Sequence, residues 1–193
     1  MTTSEESPLP GAPGPIARAA LLVALAATGW LLMQALHEAG HVLHARASGA
    51  AVERVDLHPL RLSRTVLGAN PHPRFVAWGG AVWGCLLPLA LILAARARGD
   101  EATALARALA GGCLLANGVY LGAGAWNLAG DAGDLLLAGE APAALVAFGV
   151  VACAVGLALW HGIGPALESA ARPRVIATFT GAAIVVAVLE LAL

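Results

Sequence analysis

Two histidines four residues apart, with a glutamate directly after the first, make the segment His37-Glu38-Ala39-Gly40-His41. On an α-helix, residues i and i+4 lie on one face, one turn apart. Both imidazoles can then offer a nitrogen to a single Zn2+ ion. Glu38 is offset by one residue and reaches the open side of the same metal. There it can take a proton from the metal's water as that water attacks a peptide carbonyl. Gly40 leaves room beside the metal. Such a centre still needs a third protein ligand, with water in the fourth place.

Composition decides what must position these side chains. Of 193 residues, 59% are hydrophobic and 12% are charged, against about a quarter charged in soluble domains. That is too little polar surface to cover a water-soluble globule, so the solvent for most of the chain is lipid. A membrane helix takes about 20 mostly apolar residues. Candidate spans are 16–47, 75–95, 102–126, 141–160 and 175–193. The fold expected is an all-α polytopic membrane helix bundle of about five transmembrane helices, with a short β-like segment after the first. Residues 1–15 read as a disordered tail rich in Pro, Gly and Ser, and 16–193 as the membrane-embedded domain.

The motif falls towards the C-terminal end of the first span. A charged residue at the centre of a membrane helix costs roughly 2.5–3.5 kcal/mol on insertion scales. Two histidines and a glutamate at one depth would therefore be an expensive accident. The competing reading is a solvated helix end that protrudes from the bilayer.

Between the first two spans, Val55, Leu57, Leu60 and Leu62 alternate with Asp56, His58, Arg61 and Ser63. This pattern suggests two short strands about a His58-Pro59 turn. An extended substrate could pair with that segment, Val55 to Ser63. The third span returns to the face on which the first one ends, and Asp131 and Asp134 follow it directly. Asp131 is the expected third ligand, because Gly130 and Ala132-Gly133 let the backbone bend towards the metal. Asp134 is the alternate; ahead of Leu135-Leu136-Leu137 it reads as a helix N-cap. Glu190 lies in the last span near the terminus, and Asp100 and Glu101 lie on the opposite face.

His44 is read as supporting the centre or lying at the interface, with an alternate-ligand role also open. His58, His72 and His161 read as loop or helix-end residues. Cys85, Cys113 and Cys153 are widely spaced in apolar runs, which opposes both a disulfide framework and a Cys-x-x-Cys metal site. Gly80 with Gly84, and Gly118 with Gly122, have the spacing at which membrane helices approach closely. Net charge is −1 and all 11 basic residues are arginines, so charge gives no case for nucleic acid. The arginines divide almost evenly between the two faces, leaving orientation undetermined.

These residues resemble the site-2 protease family of intramembrane zinc metalloproteases. The resemblance covers about residues 20–137. It rests on His37-Glu38-Ala39-Gly40-His41 at the end of a first membrane helix and on the strand-forming segment after it. Trp78-Gly79-Gly80-Ala81 at the entry of the second helix and an Asp-x-Gly segment after the third extend it. The resemblance is to a divergent, minimal member: Asn127-Leu128-Ala129-Gly130-Asp131-Ala132-Gly133 lacks the proline of the family's aspartate motif. It implies Zn2+ held by His37, His41 and Asp131, with Glu38 as catalytic base. It further implies a membrane-anchored protein substrate cleaved in or near the bilayer, and a zinc end facing the cytoplasm. The setting expected is a multi-pass protein of a bacterial cell membrane. Two alternatives stay open: a non-proteolytic zinc-binding bundle, and a transporter-like protein, which would hold no tight metal.

Overall fold

Pro15 opens the first helix, where its missing N–H is no loss, and Gly49 closes it in a left-handed conformation. The helix between them, α1 (Pro15–Ser48), has 34 residues and is about 51 Å long. That exceeds the roughly 30 Å hydrocarbon core, so one end has to tilt or stand clear of it. These coordinates come from a computed structural model, and the structure describes residues 13–192. Of the expected tail at 1–15, all but the last three residues lie outside that range.

After α1 come β1 (Val52–Asp56), β2 (Arg64–Leu67), α2 (Pro73–Arg96), α3 (Asp100–Asn127), α4 (Gly130–Leu137), α5 (Pro142–Trp160), α6 (Gly164–Ala170) and α7 (Pro173–Ala192). Helices α1, α2, α3, α5 and α7 are long and apolar enough to cross a membrane. Leu22, Val23, Leu93, Val150, Val151, Ile184 and Val185 point outward and are exposed, as lipid-facing side chains are. The all-α bundle with five candidate spans and a short β element is thus the architecture found, and it is that of an integral membrane protein.

Three local features differ from the sequence reading. The strands flank the segment 57–63 instead of occupying it: β1 and β2 pair antiparallel, with Val55 opposite Thr65 and Asp56 opposite Arg64. Leu57 to Ser63 is the loop that joins them. Val52 and Leu67 anchor the hairpin by packing on Ala45, Ala50 and Val76, which fixes the strands outside that loop. Secondly, α4 and α6 are short helices that hydropathy did not mark out. Thirdly, α4 begins at Gly130 with Ala129 as its N-cap, so Asp134 lies inside the helix and caps nothing.

On the hairpin's exposed side Asp56 accepts hydrogen bonds from Arg54 and from Arg64, the latter at 3.0 Å. First Arg54 and then Arg64 bring the Asp56 carboxyl down to about 2. The hairpin keeps this clamp above the ordinary carboxylate range and loses it as pH falls towards 2.

Lipid tails are as apolar as leucine, so helix pairs in a membrane gain from close backbone approach more than from hydrophobic burial. Gly118 and Gly122 of α3 meet Gly149 of α5, as their spacing suggested. The crossing that matters for the metal centre is α1 on α2. A Cβ added to Gly40 would lie 2.8 Å from the Gly79 carbonyl carbon and 3.0 Å from the Trp83 Cβ. Backbone cannot yield as a flexible side chain can. Gly40→Ala is therefore expected to cost about 1–3 kcal/mol, read as a lower Tm in detergent. Gly181→Ala, where nothing lies within 4 Å of the new methyl, serves as the control that leaves Tm in place.

Candidate metal centre

The ends of α1, α2, α3 and the start of α4 meet at one end of the bundle. α1 brings His37 and His41 inward, and both are buried. α2 backs them with Gly80, where any Cβ would collide with both imidazole rings. α3 supplies Asn117 and Tyr120. The left-handed residues Leu128 and Gly130 then turn the chain so that α4 starts beside the histidines and presents Asp131.

Three atoms converge there. His37 Nε2 is 2.6 Å from Asp131 Oδ2, His41 Nε2 is 3.2 Å from it, and the two Nε2 atoms are 3.1 Å apart. The ring planes meet at 73°, so the nitrogens are directed at a common point rather than stacked. His37, His41 and Asp131 form a group able to hold one metal ion.

The outer nitrogens decide what that point needs. Asn117 Nδ2 donates to the Cys113 carbonyl at 2.9 Å, which leaves Asn117 Oδ1 as an acceptor. His37 Nδ1 donates to that oxygen at 2.7 Å, so the proton of the neutral ring sits on Nδ1. His41 Nδ1 donates to the Val76 carbonyl at 2.9 Å, with the same result. In the neutral rings both Nε2 atoms then carry lone pairs, and with the Asp131 carboxylate oxygen they make three donor atoms within 3.2 Å of one another, which a shared cation would hold together. Bonds of about 2.05 Å to a tetrahedral zinc put ligand atoms about 3.3 Å apart, close to two of the three separations. The three residues could hold one metal ion, with Asn117 and Val76 aiming the two histidines.

Removing such an orienting partner typically weakens metal binding by 10- to 100-fold. Asn117→Leu is accordingly expected to raise the Kd for zinc by about that factor, measured by competition with a chromophoric chelator. An unchanged Kd would separate Asn117 from the centre.

Glu38 is buried beside this group, and each of its carboxylate oxygens accepts one hydroxyl. Ser63 Oγ donates to Oε1 at 2.8 Å and Thr65 Oγ1 donates to Oε2 at 2.7 Å. A cleft of about 790 Å3 runs between hairpin and helices, with Glu38, His41, Thr65, Tyr120, Asp131 and Asp134 in its wall. A second cavity of about 430 Å3 continues from His37 and Glu38 along α1 and α3 to Trp30, Met33 and Val119. Its wall is apolar. Tyr120 borders both spaces, and its hydroxyl accepts the Asp131 backbone N–H at 3.2 Å.

Of the residues singled out from sequence, His37, His41 and Asp131 come together and Glu38 borders the same cleft. Asp134 lines the cleft but is exposed and is not in the metal-ligating group. His44 is committed elsewhere. Its Nδ1 donates to the Phe75 carbonyl at 2.6 Å, its Nε2 accepts from Trp83 at 3.1 Å, and its ring stacks on Phe75. It ties α1 to α2 and has no nitrogen left for a metal. His58 shapes the hairpin loop through Leu60 N–H, and His72 precedes α2. The carbonyl of His161 accepts from Arg107. The three cysteines are free. Glu190 is buried in α7 and stands outside the metal-ligating group.

The sequence reading missed the hydroxyls on Glu38 and the role of Asn117. A polar side chain within an apolar span was the only local signal, and it pointed to Asn117 alone. No protein-family model, no characterised protein and no solved structure matches this chain.

Proposed function

We propose that the protein is an intramembrane zinc metalloendopeptidase of the site-2 type, acting on membrane-anchored protein substrates within or near the bilayer. The observation that carries the proposal is the convergence of His37 Nε2, His41 Nε2 and Asp131 Oδ2 on one point, with a glutamate in the adjoining wall. A bound zinc ion would acidify a water molecule and polarise the scissile carbonyl.

The chain's own residues supply the rest. Glu38 takes one proton from the attacking water and passes it to the leaving amide nitrogen as the C–N bond breaks, and the water's second proton follows, leaving a carboxylate and an ammonium. His37 and His41 would present Nε2 to the metal because Asn117 and the Val76 carbonyl accept from their Nδ1 atoms. A substrate must arrive with its backbone uncoiled, since a membrane helix hides its carbonyls in internal hydrogen bonds. The cleft beside β2 gives room for an extended segment, and the apolar cavity beyond Met33 gives room for an apolar one.

The test is purified protein in proteoliposomes with a single-span substrate peptide. Cleavage that a chelator stops and zinc restores is the expected result. Absence of cleavage at one equivalent of bound zinc would favour a non-proteolytic metal protein. Absence of tight metal would favour the transporter-like alternative.

A further inference from the structure

One stripe of α1 does more than present Glu38. Trp30, Gln34 and Glu38 are spaced four residues apart, so they stack along one face. Each grips the β1–β2 hairpin. Trp30 Nε1 donates to the Pro59 carbonyl at 2.8 Å. Gln34 Nε2 donates to the His58 carbonyl at 3.3 Å, and Gln34 Oε1 accepts the Ser63 N–H at 2.8 Å. Glu38 takes the Ser63 and Thr65 hydroxyls, one on each carboxylate oxygen. Gln34 is 1% exposed, and as an amide among apolar neighbours it would be costly there without these partners.

Residues 63 and 65 are two apart in extended chain, so their side chains leave on one face. That spacing matches the two oxygens of a single carboxylate. We propose that Gln34, Ser63 and Thr65 are positioning residues of the site. They fasten the hairpin to α1 and fix the plane in which Glu38 meets the attacking water. A carboxylate oxygen has two acceptor positions, so each Glu38 oxygen keeps one lone pair free for that water while the hydroxyls stop the side chain from turning away. A freely rotating Glu38 would spend most of its time misaligned, and alignment is a large part of what a positioned base contributes. This inference rests on the protease reading for its catalytic part and on the hydrogen bonds alone for its structural part.

The test has two readouts. The first needs no activity: amide exchange in detergent, with and without added zinc. Gln34→Leu removes the acceptor of the Ser63 N–H, and the Ser63 amide is expected to exchange at least about tenfold faster. Gln34→Glu keeps an acceptor and holds the rate near wild type. An unchanged rate in Gln34→Leu would overturn the fastening.

The second readout is kinetic. Ser63→Ala with Thr65→Val keeps the shape of the hairpin and removes both donors. Its kcat is expected to fall about 10- to 100-fold, as for loss of hydrogen bonds to a charged group. KM and zinc content should stay within about twofold, while Ser63→Thr with Thr65→Ser restores kcat. A merely structural role would lower folded protein and zinc together and would leave kcat per bound zinc alone. Wild-type kcat in the double variant would overturn the inference while leaving the protease reading intact. Absence of zinc-dependent cleavage in the wild type would sink that reading and the catalytic half of this inference with it.

Discussion

Glu38→Gln is expected to leave zinc bound and the bundle folded while peptide cleavage falls by about 100- to 10,000-fold, the range that a general base contributes. Glutamine has nearly the same size, and its Oε1 still accepts a hydroxyl. The Ser63 and Thr65 hydroxyls can rotate to suit an amide, so the hairpin keeps its seat on α1. What is lost is the capacity to take a proton from water. Glu38 is 4% exposed, so bulk solvent does not readily substitute for it. Single-turnover cleavage with matched zinc content is the measurement. A variant that cleaves at the wild-type rate would remove Glu38 from the chemistry.

The second large effect separates two aspartates three residues apart. Asp131→Ala is expected to empty the metal centre and abolish cleavage, because Asp131 Oδ2 lies 2.6 Å from His37 Nε2 and 3.2 Å from His41 Nε2 and is the one anionic atom of the group. Without it two lone pairs face each other with no anion to complete the set, and two nitrogens hold zinc far less tightly than three ligands. Asp134→Ala is expected to keep the metal and most of the activity, since Asp134 is an exposed residue within α4. Zinc content of both single variants decides the matter. An empty site in Asp134→Ala with a full one in Asp131→Ala would reverse the assignment.

The parts of this molecule that were legible in the sequence are those dominated by local rules. α1 starts at a proline and stops at a glycine, and its 34 residues sit within one residue of the span read from hydropathy. The i, i+4 histidine pair needed only helix geometry. The arrival of Asp131 beside it needed only the count of membrane crossings, because the third span returns to the face on which the first one ends.

What was not legible depends on contacts far apart in the chain. α4 and α6 have eight and seven residues, about two turns each, too few for a 3.6-residue period to stand out. Asp134 was misread as a cap because Gly130 and Leu128 adopt left-handed backbone and start α4 four residues earlier. The strand bounds were misread because the alternation continues through the loop at 57–63, and packing of Val52 and Leu67 on Val76 selects the outer segments. Ser63 and Thr65 reach Glu38 from 25 and 27 residues away, and Asn117 reaches His37 from 80. No pattern within one helix encodes those pairings.

The account stands on one small cation shared by His37, His41 and Asp131, and metal content tests that most directly. Wild-type protein and the His37→Ala/His41→Ala double variant would be purified side by side in detergent, exchanged into metal-free buffer and assayed for bound zinc by elemental analysis. About one equivalent per folded wild-type chain and a background level in the double variant is the result predicted. Equal zinc in the two proteins, or none in the wild type after zinc is offered, would contradict it.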